Sequence, residues 1–328
     1  MEGKEMKSIQ EYKQKVLDGA FLSKEEAMII ADAPLEEIRS AANEIREHFC
    51  GNNFDICSII NGKSGRCSEN CKYCAQSAFY DTQIEEYPLL DTETLVEQAK
   101  YNDERGVLRY SIVTSAKKLT DQEVDKVCET IRTIRKKTGI AVCASFGLLD
   151  EKQFIKLKDA GVSRVHNNLE TSRRNFPNVC TTHSYDEKIE TIKAAQRAGL
   201  NVCSGGIMGL GETMEDRIDM ALTIRELGIR SIPVNMLNPI PGTPYENNEK
   251  LTNEDMCRIV AVFRLLVPNA SIRLAGGRGL LKDKGVKCFQ SGANAAISGD
   301  MLTTSGISIK QDMKILDELG YKAVLWNE

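Results

Sequence analysis

The sequence predicts an α/β fold, a (β/α)8 TIM-type barrel with extra N-terminal helices. Eight short, β-branched apolar runs alternate with amphipathic helical stretches, an order typical of parallel α/β proteins. Glycine follows the periodic part of several of these helices, where a left-handed residue ends a helix. The length of 328 residues suits one large barrel. A doubly wound sheet is the competing topology.

The predicted elements follow one another along the chain. Three helices, at 9–18, 24–31 and 35–48, come first, so we divide the chain into an N-terminal helical extension (1–50) and a barrel (51–328) within a single domain overall. Asp91 and Thr120 are cap residues that start later helices, each followed by a carboxylate. The eight strands are predicted at 54–60, 108–114, 140–146, 163–169, 200–205, 229–236, 271–274 and 295–298.

Composition argues against several functions. The chain has 43 Lys and Arg against 47 Asp and Glu, and the two kinds of charge are interspersed throughout. The sequence therefore lacks the cluster of basic residues that binding to nucleic acid requires. The longest apolar run, 259–267, contains Arg264 and is far shorter than the roughly 18 residues of a membrane span. The first ten residues mix Lys with Glu and lack a signal-peptide core, so we expect a cytoplasmic protein.

Cysteine is the unusual residue, since 11 occur in a chain without an export signal. In a reducing compartment such thiols more often bind metal or react than form disulfides. Cys67, Cys71 and Cys74 follow the first strand, where a barrel has its active site. Zinc prefers four ligands, whereas an iron–sulfur cube held by three thiolates keeps one iron free. A thioredoxin-like role for the last two is the alternative.

This C-x3-C-x2-C loop, with Tyr73 before its last cysteine, resembles the radical S-adenosylmethionine superfamily. Within it, the string from Cys67 to Ser77 is similar to that of the biotin synthases. The likeness extends over about residues 50–320, through HNNLETS (166–172), CTTHSY (180–185), VCSGGIMGLGET (202–213), VNML (234–237), GTP (242–244), IRLAGGR (272–278) and GAN (292–294).

The resemblance implies that sulfur is inserted into dethiobiotin to form biotin, by 5′-deoxyadenosyl radicals made from S-adenosylmethionine at a 4Fe-4S cluster. It implies that the three loop cysteines ligate that cluster. It places Asn168 and Asn235 against dethiobiotin or the cofactor, Glu170 at the ribose and Lys188 at the methionine carboxylate. Without it, Glu170 and Lys188 would be ordinary solvated charges. Further cofactor contacts are expected at Tyr73, Gly205 and Gly206.

The glycine-rich run 204–212 does not have the G-x-G-x-x-G order of a dinucleotide site. Its glycines are better explained by close approach of the backbone to a cofactor or to a second cluster. The resemblance also implies a homodimer and a small electron donor such as flavodoxin or ferredoxin.

One departure concerns the second cluster, which well-known biotin synthases hold as 2Fe-2S with three cysteines and an arginine. Cys143, Cys203 and Arg273 match three of these ligands, but Ser111 stands where the remaining cysteine should be. We hypothesise that Cys57 compensates and that the cluster has two or four irons. No role follows for the other cysteines, Cys50, Cys128, Cys180, Cys257 and Cys288.

Two other interpretations stay open. The first is a related radical maturase or methylornithine-type mutase on the same barrel, which would be expected to lack the paired Cys143 and Cys203 with Arg273. The second is a non-catalytic iron–sulfur electron carrier, which would need neither Asn168 nor Asn235 around a cavity.

Overall fold

A computed structural model describes residues 7–326, so the first six residues of the predicted extension and residues 327–328 lie outside the described residues. Its helices are α1 Ile9–Leu17, α2 Lys24–Asp32, α3 Leu35–Cys50, α4 Thr92–Asp103, α5 Asp121–Lys137, α6 Glu151–Ala160, α7 Phe176–Val179, α8 Tyr185–Arg197, α9 Met214–Glu226, α10 Asn253–Leu266, α11 Val286–Phe289 and α12 Ile309–Glu318. Within this range, no helix is both long and apolar enough to span a membrane.

The strands form one parallel sheet that closes into a ring. They are β1 Asn53–Lys63, β2 Arg109–Thr114, β3 Ala141–Ser145, β4 Val162–His166, β5 Asn201–Cys203, β6 Gly206–Met208, β7 Ser231–Met236, β8 Ser271–Leu274, β9 Ala295–Ser298 and β10 Lys322–Ala323. The order is β5-β4-β3-β2-β1-β9-β8-β7-β6, with β10 added beside β1. β5 and β6 are consecutive pieces of one strand. β5 pairs with β4 and β6 pairs with β7, so the two ends of the strand order meet in this strand and the sheet closes. The predicted (β/α)8 barrel is confirmed.

The fifth barrel strand, predicted at 200–205, ends its first piece at Cys203 and continues as Gly206–Met208 after a break at Ser204 and Gly205. A Cβ on Gly205 would lie 1.9 Å from the carbonyl oxygen of Pro233 in β7, so the two backbones touch at the break. Ser204 N donates to Ser231 O at 3.0 Å, and Glu170 N donates to Gly205 O at 3.0 Å, so hydrogen bonds continue across it. The break therefore bends the strand without opening the barrel.

Side-chain caps start most of the helices, because the first backbone N–H groups of a helix lack partners within it. Thr120, which the sequence marked as a helix start, accepts a hydrogen bond from Glu123 N in a reciprocal capping box, and Asp91 accepts one from Thr94 N. Thr213 forms another capping box with Asp216 at the start of α9. The Asp216 carboxylate also accepts from three side chains, those of Ser172, Arg174 and Thr213.

The two faces of the ring have different chemistry. Outward residues such as Ile56, Ile112 and Val142 pack with the helices into the apolar core. Many inward positions, two residues apart along a strand, are polar or carry thiols, for example Asp55 and Cys57 in β1, although Ile59 and Ile297 near the mouth are apolar. A barrel interior is normally filled by branched apolar side chains. This interior is therefore built for another purpose.

Candidate active site in the barrel

The three-cysteine loop begins where β1 ends. Cys67 N donates to Gln76 O at 2.9 Å, and Ala78 N donates to Cys67 O at 2.8 Å, which folds the loop back on itself. Lys72 N donates to Val179 O at 3.0 Å and ties it to α7. Cys67, Cys71 and Cys74 are partly exposed. The loop thus presents its three thiols at the mouth formed by the carboxyl ends of the strands.

The surroundings of these three thiols raise their pKa values in the cluster-free chain. The pKa of Cys71 is raised, first by a hydrogen bond with Cys180 and then by burial. Burial raises the pKa of Cys74 to about 11. Metal ligation would require deprotonation, which an iron ion itself promotes.

Two residues of the turn before α8 meet this loop, and sequence analysis assigned neither a role. Cys180 Sγ lies 3.3 Å from His183 Nδ1, and Glu69 Oε2 lies 2.6 Å from the same nitrogen. The pKa of Cys180 is lowered to about 3 by hydrogen bonds from Cys71 and His183, against the effect of burial. Cys180 and His183 are separated from Cys71 by more than a hundred residues, so only the fold brings them together.

Glu170 occupies the mouth beside Tyr73. Its backbone is left-handed, with φ of 69°, and its carboxylate Oε2 is buried without a hydrogen-bond partner among the described residues. Burial raises the pKa of Glu170, while the charge of Lys188 and a hydrogen bond from Tyr73 act in the opposite direction. An unpartnered buried carboxylate oxygen next to a cation is suited to accept hydroxyl groups of a ligand.

Asn168 and Asn235 both hold the broken strand. Asn168 Oδ1 accepts from Gly205 N at 3.2 Å, and Asn235 Nδ2 donates to Gly206 O at 3.0 Å. Asn235 also lines a cavity of about 230 Å³, together with Tyr73, Cys74 and side chains of the 301–304 loop. The two amides therefore have a structural use at the barrel mouth, beside any contact with a ligand.

Gly205 and Gly206 are required by packing. Cβ atoms there would lie 1.9 Å from Pro233 O and 2.4 Å from Glu170 O, respectively. Both contacts are with backbone, which cannot move aside cheaply. The close approach seen at these glycines is to neighbouring backbone. The approach to a cofactor or to a second cluster that the sequence led us to expect stays a prediction.

The barrel interior gathers the residues expected around a second cluster. Cys57, Cys143, Cys203 and Arg273 are all at most 1% exposed, and none of these thiols belongs to the apolar core outside the ring. Cys57 lies close enough to Cys143 and Arg273 for their charges to affect its pKa, which burial raises. Cys203 in turn lies close enough to Arg273 for its charge to act on the pKa of that arginine, so the interior brings the four residues together.

Ser111 lies beside Cys143, its register partner in the neighbouring strand. Its buried hydroxyl has no hydrogen-bond partner within residues 7–326, and the same is true of Arg273 Nε. Buried polar atoms normally find partners. A polar occupant of the interior would supply them.

A carboxylate below this group is surrounded by arginines that sequence analysis did not single out. Arg109 Nε lies 2.9 Å from Asp55 Oδ2, Arg273 Nη2 lies 3.3 Å from Oδ1, and Arg164 Nη1 lies 3.6 Å from Oδ2. Arg109 and Arg164 also donate to Trp326 O, near the end of the described chain. Three cations face one anion, so the interior favours an anionic occupant.

The residues present fit two iron–sulfur clusters. At the mouth, three thiols on one loop lie beside an unpartnered carboxylate oxygen. In the interior, three buried thiols lie among unpartnered polar atoms and excess positive charge. Cysteine thiolates are the usual ligands of such clusters, and a thiolate-ligated cluster is a soft, anionic group of this kind.

Comparison with known proteins agrees with this geometry. Residues 63–224 match the model of the radical SAM superfamily, and residues 233–322 match that of the biotin and thiamin synthesis associated domain. Biotin synthases of Brachyspira hyodysenteriae and Akkermansia muciniphila are 63% and 62% identical over 97% and 94% of this chain, and each alignment covers 96% of the relative.

Solved structures resemble the fold at lower identity. A methylornithine synthase has a TM-score of 0.83 at 21% identity, covering 96% of this chain and 97% of that one. The FeFe-hydrogenase maturase of Carboxydothermus hydrogenoformans has a TM-score of 0.81 at 18% identity, covering 95% and 78%. At such identities the likeness concerns the fold alone.

A parallel barrel with a three-cysteine loop at its mouth, matched to the superfamily model, defines a radical S-adenosylmethionine enzyme. Such an enzyme uses a 4Fe-4S cluster and S-adenosylmethionine. The chain belongs to the biotin synthase family within that class, because relatives more than half identical to it cover nearly its whole length. The resemblance stated from the motifs is thereby confirmed at the level of the family.

Proposed function

We propose that the chain forms biotin by inserting sulfur into dethiobiotin, using two clusters in one barrel. The observation that carries the proposal is the pair of cysteine sites: a loop at the mouth with Cys67, Cys71 and Cys74, and a buried interior with Cys143 and Cys203. Family membership supports the reaction. The first site would hold a 4Fe-4S cluster through three thiolates, leaving one iron for S-adenosylmethionine.

When bound, the reduced cluster supplies the electron that splits S-adenosylmethionine and so yields a 5′-deoxyadenosyl radical. The chain's task is to orient the cofactor. Glu170 would accept the ribose hydroxyls, for which its unpartnered buried oxygen is suited. Lys188 would pair with the methionine carboxylate, and Asn168 and Asn235 would contact dethiobiotin or the cofactor.

The cavity also positions the substrate. Its lining includes the aliphatic side chains of Ile59, Ile207 and Ile297, which suit an apolar carbon chain, and the amide of Asn235. Positioning the reacting carbon within such a lining restricts the radical to the intended C–H bonds.

The second cluster, as probable sulfur donor, would be held by Cys57, Cys143, Cys203 and Arg273 in a two-iron or four-iron form. Support comes from their joint burial and from the excess of arginines over carboxylates around Asp55. A serine hydroxyl is a harder, poorer iron ligand than a thiolate, so Ser111 leaves the position beside Cys143 to another residue.

The ligand assignment is tested on Cys57→Ala, with Cys128→Ala as the control because Cys128 is a buried helix residue outside the ring. Iron and sulfide are counted in anaerobically reconstituted protein, and Mössbauer spectra resolve the two clusters. We expect loss or conversion of the second cluster only in Cys57→Ala. An unchanged second cluster would contradict the role of Cys57.

The reaction is tested on reconstituted wild-type chain with dithionite, S-adenosylmethionine and dethiobiotin. Release of 5′-deoxyadenosine together with biotin is expected. Release of 5′-deoxyadenosine without biotin, with both clusters intact, would favour a related maturase or mutase. No release at all from intact clusters would favour an electron carrier.

Three further parts of the proposal rest on the family resemblance. A small flavodoxin or ferredoxin supplies the electron, the chain works as a homodimer, and it does so in the cytoplasm, in keeping with 11 free thiols. Sedimentation of the reconstituted protein measures the oligomer. Turnover with reduced flavodoxin in place of dithionite tests the donor.

A further inference from the structure

Cys71, Cys180 and His183 form a compact group in which the two sulfurs and a ring nitrogen all lie within 4.8 Å of one another. They come from the three-cysteine loop and from the turn before α8. Asn70 ties these segments together, because its Oδ1 accepts from Thr181 N at 2.9 Å and its backbone N donates to Thr182 Oγ1 at 3.1 Å. The group is therefore a built feature of the fold.

The distances suit ligands of a single ion. With metal–sulfur bonds of about 2.3 Å and metal–nitrogen bonds of about 2.1 Å, tetrahedral ligand atoms lie roughly 3.5 to 3.8 Å apart. The Cys180 Sγ to His183 Nδ1 distance of 3.3 Å is close to that value. Thiolates on different irons of a cluster lie farther apart, because the separation between the irons is added. The geometry thus favours a mononuclear site over a fourth ligand for the radical cluster.

A carboxylate meets the histidine nitrogen that faces Cys180. Glu69 Oε2 is 2.6 Å from His183 Nδ1 and accepts from Thr182 Oγ1 at 2.8 Å. An ion bound at Nδ1 would take the place of the proton that this nitrogen shares with Glu69. Glu69, Cys180 and His183 are 6%, 3% and 8% exposed, so the arrangement is largely shielded from water.

We propose that the cluster-free chain binds one thiophilic divalent cation, Fe²⁺ or Zn²⁺, through Cys71, Cys180 and His183, with the fourth position open to water. Three protein ligands and an open position are a common metal environment. Because Cys71 is also assigned to the radical cluster, the ion and that cluster exclude one another; this consequence rests on the proposed function. Zinc at this site therefore blocks cluster assembly, whereas iron there is positioned beside the loop that receives it.

Binding is tested on the full chain, stripped of iron under anaerobic conditions and titrated with Co²⁺, then with Zn²⁺ in competition. One tight equivalent with thiolate-to-cobalt charge-transfer bands is expected. Cys180→Ser and His183→Gln should weaken it by more than about 100-fold, because losing a ligand costs more than the roughly 10- to 100-fold of an outer-shell change. Cys74→Ala and Cys203→Ala are controls that keep the site.

Two results would overturn the proposal. One is loss of the tight equivalent in Cys74→Ala with retention in Cys180→Ser, which would assign the ion to the loop thiols alone. The other is an X-ray absorption spectrum of the zinc form without an imidazole ligand, a measurement that needs no variant. Neither result depends on biotin formation, so failure of this site and failure of the proposed reaction are distinguishable.

The exclusion is tested separately by reconstitution. Wild-type chain treated with zinc should rebuild its radical cluster more slowly than Cys180→Ser treated in the same way, as followed by the cluster absorbance. Equal rates would refute competition at Cys71.

Discussion

Asp55 is expected to be a major stabilising residue of the barrel, and Asp55→Asn tests this. The substitution keeps the shape of the side chain and removes the only carboxylate seen among Arg109, Arg164 and Arg273 in the described structure. The amide introduced by the substitution could still accept a hydrogen bond. What the variant loses is the charge that offsets three buried guanidinium groups.

The magnitude follows from the distances of 2.9, 3.3 and 3.6 Å between Asp55 oxygens and the guanidinium nitrogens. Each attraction amounts to about 5 kcal/mol at an effective dielectric constant of about 20. Most of this offsets the cost of burying the carboxylate. Removing one partner of a buried ion pair costs about 3 to 5 kcal/mol net, and we expect a loss of that size in the free energy of unfolding.

The assay is urea unfolding of the full chain, followed by far-ultraviolet circular dichroism. Glu36→Gln is the control, since the Glu36–Arg39 pair is at the surface, with Glu36 81% exposed, and should contribute less than about 1 kcal/mol. The charges of the arginines lower the pKa of Asp55 although burial opposes them. Its contribution is therefore present above the ordinary carboxyl pKa of about 4 and is lost as pH falls through the folded value. A loss below about 1 kcal/mol at neutral pH would refute the reasoning.

Three further outcomes are expected. Gly205→Ala should lower the free energy of unfolding by about 3 kcal/mol in the same urea assay, because the added Cβ would lie 1.9 Å from a carbonyl oxygen. Gly279→Ala is the control: a Cβ there would have no neighbour within 4 Å, so the free energy of unfolding should change by less than about 0.5 kcal/mol. Asp216→Asn should lower the free energy of unfolding by about 2 kcal/mol at neutral pH, because the side chains that donate to the Asp216 carboxylate hold its pKa low despite burial. The difference in unfolding free energy between variant and wild type should narrow below about pH 4, and a difference that stays constant with pH would contradict this. A mild oxidant should link Cys257 to Cys288, whose sulfurs lie 3.7 Å apart, and peptide mapping that recovers both as free thiols would exclude the link.

The strands could be predicted from sequence because a parallel barrel strand is a short, continuous pattern of its own residues. The strand predicted at 108–114 is observed as Arg109–Thr114, and that at 295–298 as Ala295–Ser298. The short β10 was missed, since Lys322–Ala323 has two exposed residues and no apolar pattern. It exists because Asn53 and Phe54 of β1 offer a free edge beside it.

The candidate site, like the fold, has residues that the sequence identified and residues that it could not. The three loop cysteines could be identified because they lie within eight residues of one another, so their spacing alone constrains them. Cys180 and His183 could not be placed beside Cys71, because no local pattern encodes a contact across more than a hundred residues.

By itself, the sequence determined the order of strands and helices, the barrel they form, the thiol-rich loop and the family, because each depends on short-range periodicity or on ordered motifs. Only the tertiary structure decided which distant side chains meet: Asp55 with three arginines, the broken strand against Pro233, and Cys180 with His183 and Cys71. Burial and charge balance are properties of the closed ring. They arise only when all eight barrel strands are in place.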